Sequence, residues 1–463
     1  MLTSFRLQNF KSFQAEAELP LKGPLTVLIG ANAAGKSNAL EALRLLSWLA
    51  QGNKLGAIQH ALSQKDQVVR GRVSDIFRRA QLRFSMGCSL VASDAPENLK
   101  IALELRADEL HIVEERMGAS LGLPLYEMDQ PAKGHGTEAG VAYNNFSRGG
   151  NKPHLLVSDQ MAVFTQLDSP ASFHANHKRA QQTIPQACRV YQTVLGNVLF
   201  LDPVPGKMRN FSFLADKQLV GDGANISTVL HRTWYGENQM VWSPMHERMA
   251  EGAGMGPPPA VMAQRAELLS FIQSLPEQDI QGLAFLEGPR SDVMVQLVES
   301  FGGVEQKYEA ALLSDGTLRV LAIAAAMLSA PEGSLVVIEE IDNGVHPSRA
   351  RHLLERIQSV AERRQLRVLL STHNPALLDA LPDSAIPDVV FCYRDPASGD
   401  SRMTRLGSMP DAPELLVQDS LGHLMTSGAL ERFVKQHPGP DEKKTRALAW
   451  LAAIRSAKQG AAR

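Results

Sequence analysis

The stretch that most restricts what this chain can fold into is "PLTVLIGANAAGKSNALEALRLLSWLA", residues 24–50. Its first part is an unbroken apolar run, the pattern of a strand covered on both faces, as in a parallel sheet flanked by helices. Its last part places Leu40, Leu43, Leu46 and Leu49 on one face of a helix. Between them lie Gly30, Ala31, Asn32, Ala33, Ala34, Gly35, Lys36 and Ser37, with the glycine, lysine and hydroxyl spacing of a P-loop. Glycines let such a loop curl so that several N–H groups face a phosphate. Lys36 brings a positive charge to the β- and γ-oxygens, and the Ser37 hydroxyl suits Mg²⁺. A plain glycine-rich turn ahead of a helix has no use for the lysine and serine at these positions.

Three later stretches extend the pattern. "SLVVIEEIDNGVHP" is an apolar strand ending in two carboxylates, Glu339 and Glu340, one suited to the metal and the next to polarising a water. "LRVLLSTHNPALLD" is a second buried strand ending at His373, 33 residues after Glu340 with one helical stretch between. That separation is one strand–helix–strand step, which sets His373 at the end of the neighbouring strand, where α/β sheets bind ligands. "EAALLSDGTLRVLAIAAAML" puts a polar turn, Ser314, Asp315, Gly316 and Thr317, directly before an apolar helix. A helix start of that kind favours an anion.

The remaining chain is read more coarsely. Residues 81–115 alternate in three segments and predict an antiparallel sheet. Residues 116–204 read as an insertion of loops and short strands closing with a helix at "PQACRVYQTVLGNV" and a strand at "LFLD". Residues 205–304 read as a helical lobe leading to the Ser314 turn, and 431–463 as an amphipathic helix with a basic tail. Residues 1–115 and 305–430 would then form one discontinuous core. No repeat and no long heptad run is visible.

In this order, P-loop, Ser-x-Gly-Thr turn, double-acid strand and strand-end histidine, the chain resembles the ABC-type ATPases, in their RecF-like, SMC-like and OLD-like branch. "FRLQNFKSF" ahead of the P-loop, "LSDGTLR", "IEEIDNGVHP", "FLDP" and "DGANISTVL" carry the likeness, which covers roughly 1–115 and 195–430. The resemblance implies an α/β fold: a P-loop NTPase head of the ABC type with a mixed sheet, an antiparallel β subdomain and a helical lobe. It implies ATP and Mg²⁺ as cofactors, with Lys36 and Ser37 on phosphate and metal, Glu339 as the Mg²⁺-side acid, Glu340 as catalytic base and His373 as γ-phosphate switch. Glutamate in the first acid position is frequent in that branch. Lys11 and Ser12 would lie near the adenine, and Asn343 and Gly344 in a dimer-contact loop. The Ser314–Thr317 turn would act on ATP held by a second copy, so that two chains sandwich two nucleotides head to tail.

The functional expectation is an ATP-hydrolysing motor or switch in DNA repair or anti-phage defence. Ninety residues follow His373 and contain no Asp-x-Asp pair, which directs any nuclease to a separate effector subunit. The formal net charge of −2 exerts no global pull on nucleic acid, leaving DNA to local groups. Those groups are Arg70, Arg72, Arg78, Arg79 and Arg83, then Arg349, Arg351, Arg356, Arg363, Arg364 and Arg367, at least as readily read as solvated helix faces, then Lys443, Lys444, Arg446 and Arg455, equally readable as a solvated face. The alternative, the ATPase subunit of a membrane transporter, is disfavoured by Thr317 where such subunits carry glutamine. It is also disfavoured by the 276 residues between Ser37 and Ser314. Three scattered cysteines, a charged amino terminus and no apolar run near 18 residues predict a cytoplasmic chain away from the membrane.

Overall fold

The computed structural model describes residues 1–58, 68–79, 81–92, 97–119, 122–134, 136–149, 151–236, 243–252, 256–273, 279–343 and 347–436. Its central layer is a six-stranded sheet of Leu25–Ile29 (β3), Leu199–Leu201 (β10), Leu335–Ile338 (β15), Arg367–Ser371 (β16), Val389–Arg394 (β17) and Ser401–Arg405 (β18). The order is β10-β15-β16-β3-β17-β18, and all pairings but the last are parallel. Alternate residues of these strands serve two cores, because successive side chains point to opposite faces. Val27, Val336, Ile338, Val368 and Leu370 enter one core with Leu318, Leu321, Leu353 and Ile357 of the helices Asp315–Ser329 and Pro347–Arg363. Leu28, Leu335, Val337, Leu369 and Val390 enter the other with Leu40, Leu43 and Leu46 of the helix Lys36–Ala50.

That second core is closed by an eight-stranded antiparallel sheet. Its strands are Leu2–Gln8 (β1), Ala17–Pro20 (β2), Arg83–Leu90 (β4), Asn98–Arg106 (β5), Glu109–Gly118 (β6), Tyr126–Gln130 (β7), Glu138–Tyr143 (β8) and His154–Ser158 (β9), in the order β2-β1-β4-β5-β6-β7-β8-β9. The stretch 116–204 therefore differs from a separate loop-rich insertion. It continues this sheet by three strands, and its helix, Lys178–Gly196, packs against Lys36–Ala50. Glu115 anchors the turn back from the sheet: fully buried, it accepts from Tyr126 Oη and from the Val163 and Phe164 N–H groups.

Residues 205–304 also carry more than helices. Ser212–Phe213 (β11), Ile280–Glu287 (β12), Asp292–Phe301 (β13) and Val304–Glu309 (β14) form an antiparallel sheet against the helix Ile226–Tyr235. Of the carboxy-terminal stretch, Ala429–Gln436 is a helix, and the remainder lies outside the described residues.

Candidate nucleotide site

Because β15, β16 and β3 run parallel, their carboxyl ends open on one edge of the sheet, and each end carries one of the motifs. After β3 the chain enters the P-loop through Gly30, at φ +145°, where an added Cβ would overlap the Cys392 carbonyl oxygen. It leaves through Gly35, at φ +120°, where a Cβ would stand 2.8 Å from Ser401 Cβ and 3.0 Å from Ser12 Oγ. Both positions therefore need glycine for conformation and for space. Lys36 Nζ donates to the Gly30 and Ala31 carbonyls at 2.6 and 3.2 Å, so the ammonium is held over the loop it would share with a phosphate. Burial pulls the Lys36 pKa below its ordinary value, opposed by Cys392, Glu340 and Asp342. An anion beside it would offset that burial cost.

Glu339 directly follows β15, and its N–H donates to the Leu201 carbonyl at 3.0 Å. Its carboxylate accepts from Arg44 Nη2 at 2.7 Å. Burial raises the Glu339 pKa, Arg44 opposes the rise and Asp202 adds to it. Ser37, Arg44, Asp202 and Glu339 line one cleft of about 680 Å³ beside β10. Glu340 sits in the left-handed region at φ +47°, a conformation costing a non-glycine residue about 1–3 kcal/mol and held only where its surroundings enforce it. Here its N–H donates to Ser371 Oγ at 3.1 Å, and its carboxylate accepts from Asn343 Nδ2 at 2.8 Å. The outcome is an exposed carboxylate held on one oxygen.

His373 follows β16 and is half-exposed, its Nδ1 lying 3.8 Å from Asp342 Oδ2. Thr372 Oγ1 donates to the other Asp342 oxygen at 2.7 Å, so one buried carboxylate ties the two strand ends together. Ser314 caps the helix Asp315–Ser329, its Oγ accepting from the Thr317 N–H at 3.1 Å. Ser314 and Asp315 are exposed, and Asp315 accepts from Arg209 Nη2 at 2.6 Å, which tethers the turn, with Gly316, to the helical lobe. None of the four turn residues lines the cleft that holds Ser37.

Lys11 pairs with Glu41 and donates to the Arg70 carbonyl at 2.7 Å. Ser12 is buried, accepts from Asn38 Nδ2 at 2.8 Å and pairs with Ser401 Oγ at 2.8 Å. In this arrangement Ser12 braces the P-loop helix from behind. Gly344 lies outside the described residues, as do Lys443, Lys444, Arg446 and Arg455. Of the arginines weighed as DNA contacts, Arg70 pairs with Glu41, Arg78 with Asp400, Arg83 with Glu114, Arg351 with Glu355 and Arg363 with Glu267. Arg364 donates to the Met327 and Ala330 carbonyls. Much of both groups is thus engaged within the chain by these contacts.

Sequence reasoning passed over Arg44, Asp202 and Asp342. Asp342 had a signal, standing two residues beyond the double acid. Arg44 had one too, since it follows Ser37 by two helical turns. No helix among the described residues is long and apolar enough to cross a membrane.

Comparison with known proteins gives matches at both ends of this core. A family model described as "AAA ATPase domain" matches residues 1–94. Another, described as "AAA domain, putative AbiEii toxin, Type IV TA system", matches residues 208–379. A curated relative, the DNA replication and repair protein RecF of Gloeobacter violaceus, is 41% identical over 71 residues. The match spans 15% of this chain and 17% of RecF. Among solved structures, the SmcHead bound to the C-winged helix domain of ScpA is 11% identical at TM-score 0.42, with 87% of this chain and 96% of that one covered. The Smc head domain with an extended coiled coil bound to the C-terminal domain of ScpA, derived from Pyrococcus furiosus, is 12% identical at TM-score 0.44, with 90% and 98% covered. The first family match contains the P-loop strand and helix, and the second contains the Ser314 turn, both acids and His373. With the three strand ends meeting at one edge, the chain is thus similar to AAA-type ATPase domains over residues 1–94 and 208–379, and to RecF over 71 residues.

Proposed function

We propose that this ATPase hydrolyses Mg²⁺-ATP at the interface of a head-to-tail homodimer and works as a motor or switch in DNA repair or anti-phage defence, driving a separately encoded effector such as a nuclease. The observation that carries the reading is the division of labour between the two ends of the chain's own motifs. P-loop, double acid and His373 converge on one sheet edge, whereas the Ser314–Thr317 turn, exposed at Ser314 and Asp315, is tethered to the helical lobe and takes no part in lining the Ser37 cleft. A capped helix start with its first residues exposed is suited to a phosphate brought by a second copy. The pathway assignment leans on the relatives' descriptions, one naming replication and repair and one a toxin of a toxin–antitoxin system.

The donor set fits Mg²⁺. A hydroxyl and a carboxylate in one cleft are hard oxygen ligands, and this ion is commonly held by one or two such groups together with substrate phosphates. Ser37 and Glu339 would hold it, and when bound it neutralises charge on the β- and γ-oxygens. Lys36 turns from its loop carbonyls to donate to the phosphate oxygens. Glu340, exposed and oriented by Asn343, accepts a proton from the attacking water. His373, steadied by Asp342, faces the γ-phosphate.

A mixing experiment tests the dimeric reading. Ser314→Arg and Lys36→Ala should each abolish hydrolysis, by about a hundredfold or more for loss of a preorganised donor. In a mixed dimer one site carries both lesions, and the other pairs an intact P-loop with an intact turn. Recovery of part of the activity on mixing supports action across the interface. Demonstrated mixed dimers that stay inactive would refute it.

A further inference from the structure

We propose that Arg44 is a positioning residue for the Mg²⁺-side acid, holding one oxygen of Glu339 so that the other is presented to the metal's coordination shell. The proposal rests on the Mg²⁺-ATP reading above and adds a residue to it. A glutamate carries one more rotatable bond than an aspartate, so its carboxylate sweeps a wider volume unless something fixes it, at a cost in rotamer freedom. The Glu339 backbone is fixed by the hydrogen bond to the Leu201 carbonyl, and the side chain by Arg44, whose Nη2 donates to Oε1 at 2.7 Å. Charge-assisted bonds of this kind are short and directional.

Arg44 is itself placed with care. It stands seven residues after Ser37 on the same helix, two turns on, so both side chains rise from one face about 10 Å apart along the axis. Both line the cleft that contains Glu339. The guanidinium also lies over the Phe200 ring, 4.9 Å from its centroid, and Phe200 belongs to β10, the strand paired with β15. Helix, edge strand and acid strand are thus joined at a single side chain. Outer partners that orient a ligating carboxylate change metal affinity roughly 10–100-fold when removed.

The test is the Mg²⁺ dependence of nucleotide binding, read with a fluorescent, non-hydrolysable ATP analogue. Arg44→Ala should raise the half-saturating Mg²⁺ concentration tenfold or more and leave affinity for the metal-free analogue within about twofold. Arg44→Lys, which keeps the charge but not the planar fork, should fall between it and wild type. Phe200→Leu, which loosens the guanidinium without touching the pair, should shift the requirement the same way by less, and it carries the test if Arg44→Ala does not fold. An unchanged Mg²⁺ requirement in Arg44→Ala overturns the role. A lowered requirement also overturns it, making the pair a latch that competes with the metal. A wild type that binds the analogue equally with and without Mg²⁺ removes the metal reading itself, and Arg44's role with it.

Discussion

Replacing Gly35 by alanine tests whether the P-loop owes its shape to the carboxy-terminal half of the chain. At φ +120° an L-residue pays about 1–3 kcal/mol of backbone strain. The new methyl would also overlap Ser401, 2.8 Å from its Cβ, and crowd Ser12 Oγ at 3.0 Å. Forcing a methyl into a filled space costs about 1–3 kcal/mol more. A combined penalty near 4 kcal/mol exceeds what an exposed loop can carry, so the loop should leave its anion-binding form. If binding must restore that form, affinity falls by about three powers of ten, at 1.4 kcal/mol for each. The assay is fluorescence anisotropy with a labelled ATP analogue, with urea unfolding alongside to show that the core remains. The steric part should be separable from the backbone part. Ser401→Gly in the Gly35→Ala background should recover roughly 10–100-fold of the loss and no more, once the effect of Ser401→Gly alone is subtracted. Gly35→Ala that binds within a few-fold of wild type would refute the reasoning. Full recovery in the double variant would show that the backbone conformation carries no cost.

Glu340→Gln should keep nucleotide affinity and reduce phosphate release by at least a hundredfold, because geometry stays and the base goes, whereas Lys36→Ala should weaken binding itself. Equal effects of the two on affinity would undo the separate roles. His231, buried against Tyr235 and Phe285, has its pKa lowered to about 4 by burial. The unfolded chain takes up that proton near pH 6.5, so stability is complete above pH 6.5 and is lost as pH falls, by about 3 kcal/mol near pH 4. His231→Phe should abolish that acid loss, and urea unfolding at pH 5 and 7 that shows the same difference as wild type would contradict it. Glu115 has the opposite sign: burial raises its pKa to about 7, so its unfavourable ionisation in the fold grows as pH rises from about 4.5 to 7 and lowers stability over that range. Glu115→Ala should remove this downward slope, at the cost of leaving the Val163 and Phe164 N–H groups unmet, and a slope like that of wild type would refute the assignment.

What the sequence revealed was what lies close together along it. Strand, glycine loop and apolar helix are contiguous in 24–50, and the acids and His373 are one crossover apart, so local patterning and the handedness of crossovers place them. The pairings that orient them are not local: Arg44 reaches Glu339, and Ser12 reaches Ser401. The strands β7 and β9 were hard to see because they are short and one-sided. "YEMDQ" buries only Tyr126 and Met128, and "HLLVS" fully buries only Val157. The sheet within 205–304 was hidden for the opposite reason. In β13 six of ten residues are buried in two runs of three, which blurs the two-residue alternation.

The cradle around the phosphate site shows how far the function depends on distant parts of the chain. Cys392, on β17, presses its carbonyl against Gly30, and Arg394 on the same strand donates to the Ala33 carbonyl at 2.9 Å. Ser401, on β18, donates its hydroxyl proton to the Ala34 carbonyl and pairs with Ser12 Oγ at 2.8 Å, and its N–H donates to the Ser12 carbonyl at 2.8 Å. Beside it Asp400 pairs with Arg78, which precedes β4 of the antiparallel sheet. Besides Ser12, the loop is therefore walled by Cys392, Arg394 and Ser401, residues more than 350 positions later, and Asp400 beside Ser401 is paired with Arg78 ahead of the antiparallel sheet. Residues 30–37 specify a loop that can bind phosphate, and the Cys392 carbonyl and the Ser401 side chain fill the space against Gly30 and Gly35 that fixes its shape. Nucleotide binding should thus report on the docking of both sheets, and a change anywhere along the line from Arg78 through Asp400 and Ser401 to Ala34 should be felt first as lost ATP affinity, before any loss of fold.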